Sequence, residues 1–139
     1  MTASAAPGTI LLVEDEPPIR RLIRRVLESE GYDMLEASNG DEALSLASDH
    51  AGSIDLLVTD VVMPRMDGFT LSAQLAKDRP DTRVVYLSGF ADQSATVRGG
   101  LRSEGRAFLL KPFTRDRLLE TVRTQLDVGF GNSVAASAH

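Results

Sequence analysis

Three carboxylates, a hydroxyl and a lysine each stand where an apolar run of this chain ends, and their types suit phosphoryl transfer. Glu14 and Asp15 follow Thr9–Val13, and Asp60 follows Asp55–Thr59. Ser88 follows Arg83–Leu87, and Lys111, with Pro112 behind it, follows Arg106–Leu110. Clustered carboxylates repel and raise one another's pKa. They persist together when a hard cation neutralises them, and Mg²⁺ takes such oxygen ligands while keeping waters and phosphate oxygens. A lysine supplies a compact cation for a phosphoryl oxygen, and a serine hydroxyl supplies a donor that can rotate. A carboxylate such as that of Asp60 can act as the nucleophile and become an aspartyl phosphate. Taken singly, each acid reads equally well as a loop residue or helix cap, Ser88 as a turn residue and Lys111 as a solvated side chain. Their combination at successive strand ends is what points to a site.

The elements that would position these groups alternate regularly. Strands are predicted at Thr9–Val13, Asp33–Ala37, Asp55–Thr59, Arg83–Leu87 and Arg106–Leu110. The continuous apolar character of the first is expected of a strand buried on both faces. Helices are predicted from Pro17 to Gly31, over Asp41–His50, Asp67–Asp78 and Asp92–Arg102, and from Thr114 to about Leu126. Pro17 and Pro18 suit a first helical turn, where a missing N–H costs nothing, and Gly31 suits a left-handed stop. Ile19, Leu22, Ile23, Val26 and Leu27 make the apolar stripe of the first helix. Arg20, Arg21, Arg24 and Arg25 make its solvated face, with a docking surface as the lesser alternative. Gly99 and Gly100 weaken the fourth helix by about 1 kcal/mol each relative to Ala. Strand–helix alternation with short connections predicts an α/β fold: a five-stranded parallel sheet, doubly wound. Ligands of such sheets bind beyond the carboxyl ends of the strands, where the polar groups above would gather.

Composition narrows the function. The chain has 139 residues, 42% of them apolar, which suits one domain with one core. Fifteen basic and twenty acidic residues leave a net charge of −5, which argues against a dedicated nucleic-acid binder. Cysteine is absent, excluding disulfides, thiolate chemistry and cysteine-bound zinc. The only histidines, His50 and His139, are far apart. No apolar run reaches the roughly 18 residues of a spanning helix, and residues 1–8 lack the basic and apolar regions of a secretory signal. A cytoplasmic protein without membrane insertion is expected. Residues 1–8 and 128–139, small and polar or rich in Gly, Ala and Ser, are expected to be flexible tails around a domain at 9–127.

The runs Leu12-Val-Glu-Asp-Glu16, Thr59-Asp-Val-Val-Met-Pro-Arg-Met-Asp-Gly68, Leu87-Ser-Gly-Phe90 and Leu110-Lys-Pro-Phe113 resemble the receiver domain of two-component response regulators, over roughly Thr9 to Leu126. The resemblance implies a flavodoxin-like (βα)5 receiver fold and a phosphoacceptor switch in a His-to-Asp phosphorelay rather than an enzyme with a foreign substrate. It implies Asp60 as phosphoacceptor. Glu14, Asp15, Asp60 and the backbone carbonyl of Val62 would hold Mg²⁺, with Mn²⁺ as an alternative. Ser88 and Lys111 would bind the phosphoryl group, Phe108 would report the state of Ser88, and Pro112 would be a cis or turn proline. Implied partners are a histidine kinase or a histidine phosphotransfer protein, and a second copy through the helix Asp92–Arg102, the fifth strand and the last helix.

The sequence departs from the commonest pattern at Glu14, where Asp is more usual, and at Phe108, where Tyr is frequent; Val62 and Phe90 are apolar at two variable flanking positions. The Ser-Gly-aromatic and Lys-Pro-Phe-Thr runs look like receivers attached to hybrid sensor kinases. With few residues after Leu126, output is expected through protein contact or onward phosphotransfer. Three alternatives have less support. An aspartate-nucleophile phosphatase usually needs a second acid where Val62 stands. A flavodoxin-like cofactor binder would need backbone donors where Glu14 and Asp15 stand. A non-phosphorylated receiver acting as a binding module would not need the intact Asp15, Asp60, Ser88 and Lys111.

Overall fold

The structure, a computed structural model, describes residues 8–89 and 107–138, with backbone alone from 128 onward. The helix expected over Asp92–Arg102 lies outside these residues. The described chain runs β1 (Thr9–Val13), α1 (Pro17–Ser29), β2 (Asp33–Ala37), α2 (Gly40–Asp49), β3 (Leu56–Asp60), α3 (Gly68–Asp78), β4 (Arg83–Ser88), β5 (Ala107–Leu110) and α4 (Arg115–Ala138). The five strands form one parallel sheet in the order β2-β1-β3-β4-β5.

Alternate residues of a strand face opposite sides of a sheet, and the two sides carry different helices. Ile10, Leu12, Leu56, Val58, Val85, Leu87 and Leu109 pack with Ile23, Val26 and Leu27 of α1 and Leu118, Leu119 and Val122 of α4. Leu11, Val13 and Leu57 pack with Ala43 and Ala47 of α2 and Leu71 and Leu75 of α3. Each fully buried aliphatic side chain contributes about 1.5–3 kcal/mol, so two apolar layers outweigh the cost of gathering charge at one sheet edge.

Local signals act as expected at most boundaries. Asn39 accepts the Glu42 N–H at 2.8 Å, Asp67 the Thr70 N–H at 2.7 Å and Thr114 Oγ1 the Arg117 N–H at 3.1 Å, capping α2, α3 and α4. Gly31 takes φ 95° after α1, the left-handed stop expected of it.

Three readings are corrected. Leu22 is 54% exposed rather than inward; it lies about 100° around the helix from Ile23, and Ile23, Val26 and Leu27 complete the buried stripe without it. Arg20 and Arg24 are not simply solvated, because both reach Glu36 on β2, Arg20 Nε at 3.5 Å and Arg24 Nη1 at 3.1 Å. Arg21 and Arg25 are the exposed pair. The last helix passes its expected end near Leu126 and continues to Ala138. Gly129 and Gly131 weaken a helix without ending it, and the alanines that follow are its best formers. Among the described residues no helix is long and apolar enough to cross a membrane.

The end of the sheet away from the strand carboxyl termini is tied by its own bonds. Arg79, just past α3, donates to the carbonyls of Ala47 (3.0 Å), His50 (2.8 Å) and Gly52 (2.9 Å). Thr82 Oγ1 donates to Ile54 O at 2.6 Å, and the Thr9 N–H donates to Asp55 Oδ2 at 2.8 Å.

Candidate functional site at the carboxyl edge of the sheet

Parallel strands deliver their last residues to one edge. Here that edge brings Glu14 after β1, Asp60 at the end of β3, Ser88 at the end of β4 and Lys111 after β5 into one locality. The Lys111 Nζ bonds Asp60 Oδ1 at 2.7 Å and Glu14 Oε1 at 2.9 Å, linking three strand ends through one ammonium. Its backbone N–H donates to Ser88 O at 2.8 Å, and the Lys111–Pro112 bond is cis. Glu14 is fully buried and Asp60 is 4% exposed. Asp15, beside Glu14, is exposed, and one carboxylate oxygen from each of Glu14, Asp15 and Asp60 lies within 4.8 Å of the others.

Every polar group of Glu14 is held. Its N–H donates to Ala37 O at 3.2 Å, its carbonyl accepts Arg20 Nη1 at 2.8 Å, and its carboxylate accepts Lys111 Nζ and, at 3.1 Å, the Glu16 N–H. Ser88 Oγ is the opposite case: it is buried and has no hydrogen-bond partner among the described residues. Such a hydroxyl costs free energy as it stands and gains from any acceptor brought to it.

The charges do not balance, since three carboxylates face one ammonium. Burial pushes the Asp60 carboxyl up to about 8, and the Glu14 carboxylate beside it adds to the rise, while Lys111 pulls the other way. For Lys111, burial alone would lower the pKa, but its bonds to Asp60 and Glu14 outweigh that and raise it. Oxygen donors in negative excess, with one exposed side, fit a hard divalent cation.

The loop after Asp60 is shaped by close backbone approach. The Gly68 N–H donates to Val61 O at 2.8 Å, and a Cβ on Gly68 would lie 2.2 Å from the Asp60 carbonyl oxygen and 3.2 Å from Thr59 Cγ2. Only glycine lets α3 start this close to β3. Gly68→Ala should therefore lower stability by about 2–3 kcal/mol, read as a fall in denaturation midpoint, and should shift the Asp60 backbone. An unchanged midpoint would show that the loop yields freely. The Asp67-Gly68 pair reads in sequence as a turn and helix start, which is correct but misses this role.

Val62 lies on the rim with its side chain 58% exposed. Phe108 is not among the acids. It stacks on Tyr86 with ring centroids 5.1 Å apart and packs near Phe69 at 6.1 Å. The Tyr86 hydroxyl lies 2.6 Å from Ser72 Oγ of α3. The Ser72–Tyr86 contact and the Arg20 bond to Glu14 have no counterpart in a sequence motif, because each joins side chains brought close only by the fold.

The doubly wound parallel sheet thus carries an acidic cluster and a lysine together at its carboxyl edge. Residues 10–123 match the family model of the response regulator receiver domain, and the chain belongs to that family. It is similar to the sensor kinase CckA of Brucella abortus, 40% identical over 126 residues, covering 91% of this chain but 13% of that protein. It is also similar to the chemotaxis protein CheY of Bacillus subtilis, 31% identical over 119 residues, covering 85% of this chain and 97% of CheY. The chain thus spans nearly all of one relative and a small part of the other; several transcriptional regulators that it matches are covered to 47–57% of their length. Among solved structures, a receiver domain protein from Clostridium thermocellum superposes with a TM-score of 0.74 at 29% identity, covering 86% of this chain and 94% of that one. The receiver domain of the hybrid histidine kinase CckA superposes with a TM-score of 0.64 at 37% identity, covering 86% and 99%.

Proposed function

We propose that the unit at residues 9–127 is a cytoplasmic phosphoacceptor switch that takes a phosphoryl group on Asp60 from a phosphohistidine of a histidine kinase or histidine phosphotransfer protein. The Asp60 carboxylate oxygen attacks phosphorus, the new O–P bond forms as the P–N bond breaks, and the released imidazole takes up a proton. The observation that carries this reading is the Lys111 ammonium bonded at once to Asp60 and Glu14, with the Ser88 hydroxyl, which has no partner among the described residues, at the end of the adjoining strand. Lys111 stabilises charge on the phosphoryl oxygens, and Ser88 gains an acceptor when those oxygens arrive. Glu14, Asp15, Asp60 and the Val62 backbone carbonyl would hold Mg²⁺, or Mn²⁺ with the same oxygen preference, which when bound supplies the positive charge that the site lacks.

Movement of Ser88 toward the phosphoryl group would leave room for Phe108 to turn inward. The surface of β5 and α4 would then change, offering a face to a partner or a second copy. In this scheme the chain catalyses only its own phosphorylation and dephosphorylation.

Asp15 supplies the test of the metal reading, being the exposed acid of the cluster. Phosphoramidate should label the wild-type chain with one phosphoryl group in Mg²⁺ and not in a chelator. Asp15→Asn should weaken Mg²⁺ binding at least tenfold, as loss of a ligand does, and slow labelling in parallel. Undiminished Mg²⁺ affinity in calorimetric titration of the variant would remove Asp15 from the ligand set.

A further inference from the structure

We propose that Arg20, held in place by Glu36, is a positioning residue for the acidic corner Glu14–Asp15; the inference rests on the reading that this corner holds a divalent cation. Arg20 lies in the second turn of α1, six residues beyond Glu14. Its Nη1 returns to the Glu14 carbonyl at 2.8 Å. Its Nε faces Glu36 Oε1 on β2 at 3.5 Å, and Glu36 Oε2 is held in turn by Arg24 Nη1 at 3.1 Å. The guanidinium thus spans two strands and the helix between them, and its planar fork can serve a carbonyl and a carboxylate together. Arg20 is mostly shielded, its side chain 21% exposed, so water competes poorly for these bonds.

What the bond fixes is the peptide that joins Glu14 to Asp15. The Glu14 carboxylate is already set by Lys111 and the Glu16 N–H. The Asp15 carboxylate is set by the direction in which the chain leaves Glu14, and the Arg20 bond holds that peptide plane. A ligand presented from an exposed turn depends on such an outer bond for its aim.

The sign of the effect separates positioning from simple charge. Arg20 is a cation near a cation site, so by Coulomb's law alone its removal should tighten Mg²⁺ binding. Positioning predicts the reverse. Arg20→Ala should weaken Mg²⁺ about tenfold, the lower end of what loss of an outer-shell partner brings. Glu36→Ala should weaken it by a smaller factor. The double variant should bind no worse than Arg20→Ala, since Glu36 acts through Arg20. Arg20→Lys, which keeps one donor and the charge, should fall between wild type and Arg20→Ala. Without metal, hydrogen exchange of the Glu14 and Glu16 amides should speed up in Arg20→Ala, while that of the β3 amides stays unchanged.

Calorimetric titration with Mg²⁺ and amide exchange on the full chain decide the matter. Tighter or unchanged Mg²⁺ binding in Arg20→Ala overturns the proposal, as does additivity in the double variant or unaltered exchange at Glu14 and Glu16. If the wild-type chain itself binds no Mg²⁺, the metal reading fails first and this inference falls with it.

Discussion

Asp60→Asn should reduce phosphoryl labelling from one group per chain to none. The side chains at the carboxyl edge offer three carboxylates, but they are not equivalent. Glu14 is fully buried with both oxygens bonded, one to Lys111 and one to the Glu16 N–H, so it has no oxygen to spare for attack. Asp15 is exposed and lies beyond the lysine's bonds. Asp60 shares Lys111 with Glu14, at 2.7 Å, and stands at the end of the central strand. Asn preserves shape and removes the nucleophilic charge, so the loss should be complete while the fold is kept. Intact-mass measurement after phosphoramidate and Mg²⁺, with hydroxylamine to cleave any acyl phosphate, reads the result. Labelling of the Asn variant at the wild-type level would move the acceptor elsewhere.

The same substitution should stabilise the metal-free chain, and by an amount that grows with pH. Folding raises the Asp60 carboxyl from 3.8 to about 8, chiefly because burial disfavours its charged form. Below pH 4 both folded and unfolded chains carry the proton, and Asp60 adds no pH dependence. Between about pH 4 and 8 the folded chain holds a proton that the unfolded chain has released, so stability falls as pH rises. Above pH 8 the full cost is present. At about 1.4 kcal/mol per pH unit, the cost reaches at most ~6 kcal/mol. Lys111 stays charged throughout this range because its pKa is raised, so it contributes no slope. Asparagine has no proton to release, so this dependence is absent from the variant. In a chelator, the variant should melt with wild type at pH 4 and up to roughly 20 °C above it at pH 9, taking about 3 °C per kcal/mol for a domain of this size. Saturating Mg²⁺ should narrow the gap. A gap of constant size across pH would mean that the Asp60 charge is not what strains the folded state.

Much of this was legible beforehand because the informative residues break a pattern. Glu14, Asp60, Ser88 and Lys111 each interrupt or end an apolar run, so both strand and site appear in one reading. The caps Asn39, Asp67 and Thr114 act through bonds to amides three residues on, which sequence spacing alone can specify. What escaped depends on tertiary distance. A long, flexible arginine selects partners that exist only after folding, so Arg20 and Arg24 looked like surface charge and the role of Arg79 gave no signal. The bond between Ser72 and Tyr86 joins α3 to β4 with no local trace. The length of α4 was missed because glycine and small residues signal a tail as readily as a weak helix.

The two ends of the sheet are held by different kinds of force. At the far end, Arg79 grips three peptide carbonyls and Thr82 and Thr9 complete the stitching. An arginine keeps its proton at any ordinary pH and a carbonyl has none to exchange, so most of that end is indifferent to acidity and to small ions. At the other end an ammonium shared between two acids joins three strand ends, and protons and divalent ions compete for those acids while phosphoryl groups compete for the ammonium. A change in the surrounding solution therefore acts on the molecule asymmetrically. One rim stays largely an anchored base, and the opposite rim registers the chemical conditions most directly.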